Sequence, residues 1–315
     1  MTSSRPATAH VLMCADANYF QHIAACLVSL VEHNRGLAFK VVLLATHMRE
    51  EANSKLLRSL SAYPDLELRI EQFDPPDLTA LPLAKGYPSE IYARFWVDDF
   101  FPEDVKRVLY LDGDMVIIDS VMPLLDLDLG DNMLAAVQIP GAVAPKRLGY
   151  DKKYGYFNSG VMVLNMEKWR AEGARPRLIE AAHALTGRLS NPDQDVLNYC
   201  FYDRYIPLDY VWNAISPFYK EVNELELSDT EIRRVAREAK IVHFNGPAKP
   251  WHYLSFHPHA KEYLRCVGKT EWRDFVPKDY SAANIVKKQI IKLFGERRVG
   301  QVMRSIKRPA TAPKP

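Results

Sequence analysis

The chain has 315 residues, 48% hydrophobic and 25% charged. These ordinary globular proportions exclude a collagen-like, disulfide-scaffold or wholly disordered polypeptide. Lys and Arg number 41 against 39 Asp and Glu, a formal +2; dedicated nucleic-acid binders carry a basic excess, so nucleic acid is not expected as a partner.

Residues 1–10 are polar and Ser/Thr/Ala-rich and read as a disordered N-terminus, too short of apolar residues for a secretory signal. Short apolar runs at 11–15 and 40–45 are of the buried parallel-strand type. Between them, Ile23, Leu27, Leu30 and Val31 share one face of a helix predicted over 20–34. A helix over 49–62 and a strand near 66–73 follow, then Pro75, Pro76, Pro82 and Pro88 break the chain. Beyond them come a helix at 89–98, a central strand at 107–111 (RVLYL) and strands at 133–139 and 160–165. Helices over 177–184, 193–201 and 229–239 precede a short strand, 241–244, expected to close the main fold. Alternating strands and helices predict an α/β protein with ligands at the carboxyl ends of its strands.

Cys14, Cys26, Cys200 and Cys266 form no CxxC pair and no zinc-finger spacing. Cys14 and Cys26 sit in apolar runs and read as small buried hydrophobes, and the lack of a disulfide framework favours a reducing compartment. No run approaches the ~20 apolar residues of a membrane span, and the expectation is a cytoplasmic protein. Neither G-x-G-x-x-G after the first strand nor G-x-x-x-x-G-K-[ST] is present, which disfavours dinucleotide dehydrogenases and P-loop enzymes. H-E-x-x-H and G-x-S-x-G are also missing.

The informative site is Val108-Leu109-Tyr110-Leu111-Asp112-Gly113-Asp114. Strand alternation points Asp112 and Asp114 to one side, and Gly113 lets the backbone bend and a ligand approach. Two carboxylates placed so repel each other unless a cation lies between them. Oxygen ligands suit Mg²⁺ or Mn²⁺, and an added imidazole favours Mn²⁺. The competing reading is an exposed loop with two solvated aspartates. Three later segments support the first reading: Phe157-Asn158-Ser159-Gly160 before an apolar strand, Asp193-Gln194-Asp195 opening a helix capped by Asn191 or Asp193, and HFNGPAKPWH at 243–252.

With these motifs in this order, residues 11–253 resemble glycosyltransferase family 8, the retaining enzymes that use nucleotide sugars, and most of all its bacterial lipooligosaccharide and lipopolysaccharide galactosyl- and glucosyltransferases. The resemblance implies a GT-A fold, a Rossmann-like mixed sheet flanked by helices, over residues 11–280. It also implies a UDP-galactose or UDP-glucose donor, a glycan or glycolipid acceptor, and a divalent metal, usually Mn²⁺. Asp112, Asp114 and His243 would hold that metal. Lys249 and the Gly246 backbone would meet the phosphates. Cys14-Ala15-Asp16-Ala17-Asn18-Tyr19 resembles the uridine-binding turn, in which Asp16 accepts from uracil, Asn18 meets the ribose and Tyr19 stacks on the base; Asp112 and Gly113 also reach the ribose. Arg94 matches an arginine on donor sugar or phosphate, and Asn158, Asp193 and Gln194 match residues around the transferred sugar. His252, His257 and His259 read as structural. A carboxamide is a poor nucleophile, so Gln194 is expected to stabilise an oxocarbenium-like ion pair through its carbonyl. The family's galactosyltransferases often carry an aspartate near the sugar where this chain reads Ala135-Ala136-Val137-Gln138-Ile139, which leaves the donor sugar open.

Two rivals exist. A hydrophobic strand followed by Asp112-Gly113-Asp114 also resembles the nucleophile motif of haloacid-dehalogenase-type phosphatases, although Gly130-Asp131 follows too closely for the second half of that site. A catalytically silent sugar- or membrane-binding protein on the same fold is the other. Finally, residues 281–315 hold nine Lys/Arg and one acid, so this stretch carries +8 and the remainder −6. Val286, Ile290, Leu293 and Phe294, then Val302, Met303 and Ile306, recur near helical spacing. A basic amphipathic segment suits an anionic membrane surface, here the cytoplasmic face of a bacterial inner membrane.

Overall fold

The structure, a computed structural model, describes residues 8–294 apart from 221 and 248. The apolar runs become strands β1 (Thr8–Ala15), β2 (Ala38–Ala45) and β3 (Leu66–Gln72), paired in parallel. Thr8 pairs in register with Ala38, so residues 8–10 extend β1 and do not belong to a disordered N-terminus. β4 (Arg107–Leu111) lies on the other side of β1, also parallel, with Val11 opposite Leu109.

Farther along come β5 (Met115–Ile117), β6 (Leu134–Gln138), β7 (Phe157–Asn165) and β8 (Tyr205–Leu208). The main sheet has seven strands in the order β3-β2-β1-β4-β7-β6-β8. β7 runs antiparallel to both β4 and β6. All nine β7 residues are buried, because helices cover both faces of the sheet. β8, unforeseen because Pro207 interrupts its pattern, occupies an edge, where a missing N–H is tolerated.

The strand expected to close this sheet does something else. β10 (Ile241–His243) is the centre of a separate three-stranded sheet, between β5 and β9 (Ala214–Ile215). It pairs antiparallel with β5, His243 opposite Met115, and parallel with β9, His243 opposite Ile215. The helix Phe20–Glu32 is buried around nearly its whole circumference, not on one face only. It is enclosed by the main sheet, by the small sheet and by the unpredicted helix Ala260–Val267. Ser29 inside it is satisfied by donating to Cys26 O at 2.6 Å and accepting from Ile117 N at 2.9 Å.

Most other elements fall where expected. The helix read at 89–98 is a run of 3₁₀ turns, Ser89–Asp99, that kinks where Trp96 leaves the helical region. At the far end, Ala282–Phe294 forms a helix seated on the body: Ile291 is buried, and the Lys288 ammonium sits over the Tyr253 ring and donates to the Tyr253 carbonyl. Val286, Ile290 and Leu293 project outward. Residues 295–315, the rest of the expected basic tail, lie outside the described residues. No described helix is long and apolar enough to cross a membrane.

Leu12 on β1 is fully buried against the helices on one face of the sheet. Leu12→Ala should cost about 2–5 kcal/mol through lost transfer energy and a cavity. Urea titration should show a lower midpoint with an unchanged slope.

Candidate active site

The carboxyl ends of β1 and β4 lie side by side and open onto a cleft of about 720 Å³. Cys14, Ala15, Asp16 and Tyr19 line it from the β1 turn, and Asp112, Gly113 and Asp114 from β4. Arg94, Asn158, Asp193, Gln194, His243 and Gly246 face them. Residues scattered over more than 230 positions of sequence thus share one hollow.

At its floor the two aspartates meet His243. Nε2 of His243 lies 3.3 Å from Asp114 Oδ1 and 3.7 Å from Asp112 Oδ2. One donor atom from each residue falls within 4.8 Å of the other two. The small sheet sets this approach: β5 follows directly on Asp114, β10 pairs with β5, and Phe244 N donates to Asp114 O at 2.9 Å. Burial by itself would raise the Asp114 carboxyl, but His243 and Lys249 outweigh it and hold the group well below the usual carboxylate range. Lys249 ion-pairs with Asp114 and donates to Phe244 O at 2.8 Å. Two carboxylates and an imidazole nitrogen are a donor set that fits Mn²⁺ or Mg²⁺.

Gly160 explains how the triad closes up. A Cβ there would stand 2.5 Å from His243 Cε1, 2.8 Å from Asp112 Oδ2 and 2.9 Å from Asn158 Oδ1. Gly113 is required by packing as much as by any ligand, since a Cβ there would meet Ile23 Cδ1 at 2.6 Å.

Arg94 is buried among the groups of the site. Its guanidinium lies on the Tyr110 ring, 4.1 Å from the centroid, and is 5% exposed. Nε donates to Ile91 O, Nη1 to Ser159 O and Nη2 to Asp112 Oδ1 at 3.2 Å, and Nη1 also ion-pairs with Asp193 Oδ2 at 3.0 Å. Burial opposes its charge, and Asp193, Tyr110 and Asp112 together more than restore it. Arg94 thus clamps the carboxylates of the site while still lining the cleft. Tyr110, whose hydroxyl donates to Asp112 Oδ1 at 2.8 Å, completes the clamp. No sequence signal marks this tyrosine, because it sits inside the apolar β4 run.

Asn158 Nδ2 and Ser159 N both donate to Gln194 Oε1, at 3.0 and 3.1 Å, so both lone pairs of that carbonyl are engaged. Ser159 Oγ donates to Asp193 Oδ2 at 3.0 Å. Burial raises the Asp193 carboxyl against the pull of Arg94. Neither Asn191 nor Asp193 caps the helix Pro192–Phe201 through its side chain. Asp195 accepts from Ser190 N and Asn191 N and forms a two-pronged pair with Arg147, while Asn191 Oδ1 accepts from the Tyr87 hydroxyl at 2.8 Å. Asn213, fully buried next to His243, is another residue the sequence does not announce.

In the β1 turn, Asp16 accepts from Asn18 N at 2.7 Å. This cap turns Asn18 away from the cleft into an adjoining hollow, where Arg49 donates to its side-chain oxygen at 2.6 Å; the expected ribose contact is not what this geometry presents. Tyr19 stays at the cleft wall, edge-on to Trp251. Burial pushes the Cys14 thiol up to about 12, so it lines the wall as a neutral group. At the matched position of β6, Gln138 donates to the Tyr205 hydroxyl, and Ile139 alone of that pair reaches the cleft.

Comparison with known proteins agrees with this site. The model of glycosyl transferase family 8 matches residues 10–255. The chain belongs to that family and is a glycosyltransferase. It is 28% identical over 260 residues to a lipopolysaccharide 1,3-galactosyltransferase of Salmonella typhimurium, covering 79% of this chain and 74% of the relative. With lipopolysaccharide glucosyltransferase WaaO of Escherichia coli it shares 25% over 270 residues, 82% and 77% of the two chains, and with general stress protein A of Bacillus subtilis 26%, 84% and 94%. The solved galactosyltransferase LgtC, in complex with donor and acceptor sugar analogs, superimposes with a TM-score of 0.73 at 24% identity, over 86% of this chain and 98% of that one. That likeness speaks for the fold, the GT-A type expected. The phosphatase reading falls with it: Asp131 is an exposed partner of Lys168, remote from the cleft.

Gly160→Ala should leave the far-UV circular dichroism unchanged and lower glycosyl transfer by ~10²-fold or more, the scale of an ångström's displacement of reacting groups.

Proposed function

We propose that this glycosyltransferase moves galactose or glucose from a UDP-sugar to a glycan acceptor with retention of the α configuration, assisted by Mn²⁺ or Mg²⁺ held by Asp112, Asp114 and His243. The single observation that carries the reading is the convergence of this triad, the Lys249 cation and the buried Asn158–Asp193–Gln194 row on one cleft. A bound divalent ion supplies Lewis-acid charge for a departing diphosphate. Lys249 adds a second positive charge once it exchanges Asp114 for a phosphate oxygen. Asp16 and Tyr19, at the carboxyl end of β1, face the uridine.

On the sugar side, the locked groups favour front-face displacement. Gln194 Oε1 already accepts two hydrogen bonds, and Asp193 Oδ2 is held by Arg94 and Ser159. Gln194, a carboxamide with both lone pairs engaged, is a poor covalent partner, and Asp193 is anchored beside it through one oxygen. They supply fixed negative potential beside a short-lived oxocarbenium-like ion, an effect strong in a buried site. The bond from the anomeric carbon to the diphosphate breaks, the acceptor oxygen bonds to the same face, and its proton passes to the leaving diphosphate. The names of the lipopolysaccharide transferases among the relatives support a core-oligosaccharide acceptor and a galactose or glucose donor.

A panel of nucleotide sugars with Mn²⁺, scored for slow donor hydrolysis without acceptor, tests this. Cleavage of UDP-galactose or UDP-glucose that chelation abolishes is expected, and Gln194→Ala should lower turnover ~10–10³-fold without abolishing it. A trapped glycosyl adduct on Gln194 or Asp193 would overturn the front-face route.

We further propose that the C-terminal segment seats the enzyme on an anionic membrane. The docked helix leaves Val286, Ile290 and Leu293 on its outer side, near Lys287 and Lys292. Apolar residues flanked by cations suit a headgroup layer, where each cation contributes about 1 kcal/mol. Deleting residues 281–315, or replacing the three apolar residues with Ser, should release the protein from anionic vesicles in a flotation assay while sparing donor hydrolysis. Unchanged flotation of both variants would count against the idea.

A further inference from the structure

Asn213 ends the turn Tyr210–Asn213 that leads into β9, and its side chain is completely buried. Its side-chain oxygen lies 3.0 Å from His243 Nδ1 and its side-chain nitrogen 2.8 Å from Asn158 Oδ1. Which end of each amide points where is settled by the backbone. Gly160 N–H can only donate, and it points at Asn158 Oδ1 at 3.0 Å. Ser159 N–H can only donate, and it points at Gln194 Oε1 at 3.1 Å. Asn158 therefore turns its nitrogen to Gln194 and its oxygen to Asn213. Asn213 must meet that oxygen with N–H, which leaves its own oxygen for His243. An amide oxygen only accepts, so the imidazole proton lies on Nδ1. Nε2 faces Asp112 and Asp114 and, with Nδ1 committed to Asn213, is the nitrogen that can give up its proton to bind an ion.

We propose that Asn213 is a positioning residue that joins the two halves of the site: it fixes the tautomer and ring orientation of His243 toward a divalent ion, and through Asn158 it fixes the Gln194 amide beside the sugar. The inference rests on the metal-dependent reading above, and it adds a residue that touches neither metal nor substrate. Two backbone N–H groups of β7 thereby dictate, through three amides, which nitrogen of a histidine on another sheet is free to bind. Partners of this kind typically govern metal affinity by 10–100-fold. Because every member is buried, an unpaired end would also carry the cost of an unsatisfied polar group.

The variants separate the two functions. Asn213→Asp keeps an acceptor for His243 Nδ1–H but sets oxygen against Asn158 Oδ1; Asn213→Ala removes both contacts. The tautomer is read by ¹⁵N NMR of the imidazole in metal-free full-length protein at about pH 8, above histidine's ordinary range. Mn²⁺ affinity is read by titration calorimetry, and kcat by transfer assay. Wild-type protein should show Nδ1–H. Asn213→Ala should lose that preference, bind Mn²⁺ about 10–100-fold more weakly and turn over slowly. Asn213→Asp should keep the tautomer and at least wild-type Mn²⁺ affinity while kcat falls as in the Ala variant. An unprotonated Nδ1 in the wild type overturns the relay whether or not any variant folds. So does an Ala variant with unchanged tautomer and Mn²⁺ affinity. Wild-type protein with Nδ1–H that binds no Mn²⁺ supports the relay and overturns only the metal reading.

Discussion

Two carboxylates at the end of one strand, separated by a single residue and largely withdrawn from water, repel each other, and the surrounding molecule is arranged to offset that repulsion. Arg94 reaches Asp112 from the Ser89–Asp99 segment, and His243 and Lys249 reach Asp114 from the small sheet and the loop after it. Each cation is in turn held in place: Arg94 by Tyr110 and by carbonyls at Ile91 and Ser159, Lys249 by the Phe244 carbonyl. Without these neighbours a buried aspartate would take up a proton. With them, the pair stays charged and able to receive an ion or surrender Lys249 to a phosphate.

The same electrostatic frame joins the Asp112–Asp114 end of the cleft to the Asp193–Gln194 end. Arg94 grips Asp112 with one nitrogen and Asp193 with the other, so a carboxylate on β4 and one on the Pro192–Phe201 helix share a single buried cation. The amide row from Asn213 to Gln194 makes a second bridge, uncharged and parallel to the first. The two bridges meet at Ser159, whose carbonyl accepts from Arg94 and whose N–H donates to Gln194.

Much of this was legible in the sequence. Strands β1 to β4 announce themselves because a strand buried on both faces reads as an unbroken apolar run; Asp112-Gly113-Asp114 stands out because it terminates such a run, and Asp193-Gln194 and His243 through the motifs that carry the family resemblance. What stayed hidden has physical causes. β5 and β9 are two or three residues long, below any periodic signal, so the sheet that delivers His243 to Asp114 was invisible. Tyr110 and Asn213 act from within apolar surroundings, where a lone polar side chain reads as a satisfied core residue. Asn18 and Arg94 lay in recognisable motifs, yet their hydrogen-bond partners decided their roles: Arg49 and Asp16 hold the first away from the cleft, and two aspartates occupy the second.

The small sheet also divides labour in a way that bears on how such an enzyme diversifies. His243 and Asp114 are tied by main-chain pairing of β10 with β5 and by the Phe244–Asp114 backbone bond, contacts that do not depend on side-chain identity. Gln138 and Ile139 belong to the opposite margin of the main sheet, where Gln138 is engaged only with Tyr205 and Tyr154. Mutation can thus explore the margin around Gln138 while the Asp114–His243 end keeps its geometry. On the proposed reading, a lineage built on this frame inherits its leaving-group chemistry intact and is free to drift in the hexose it delivers.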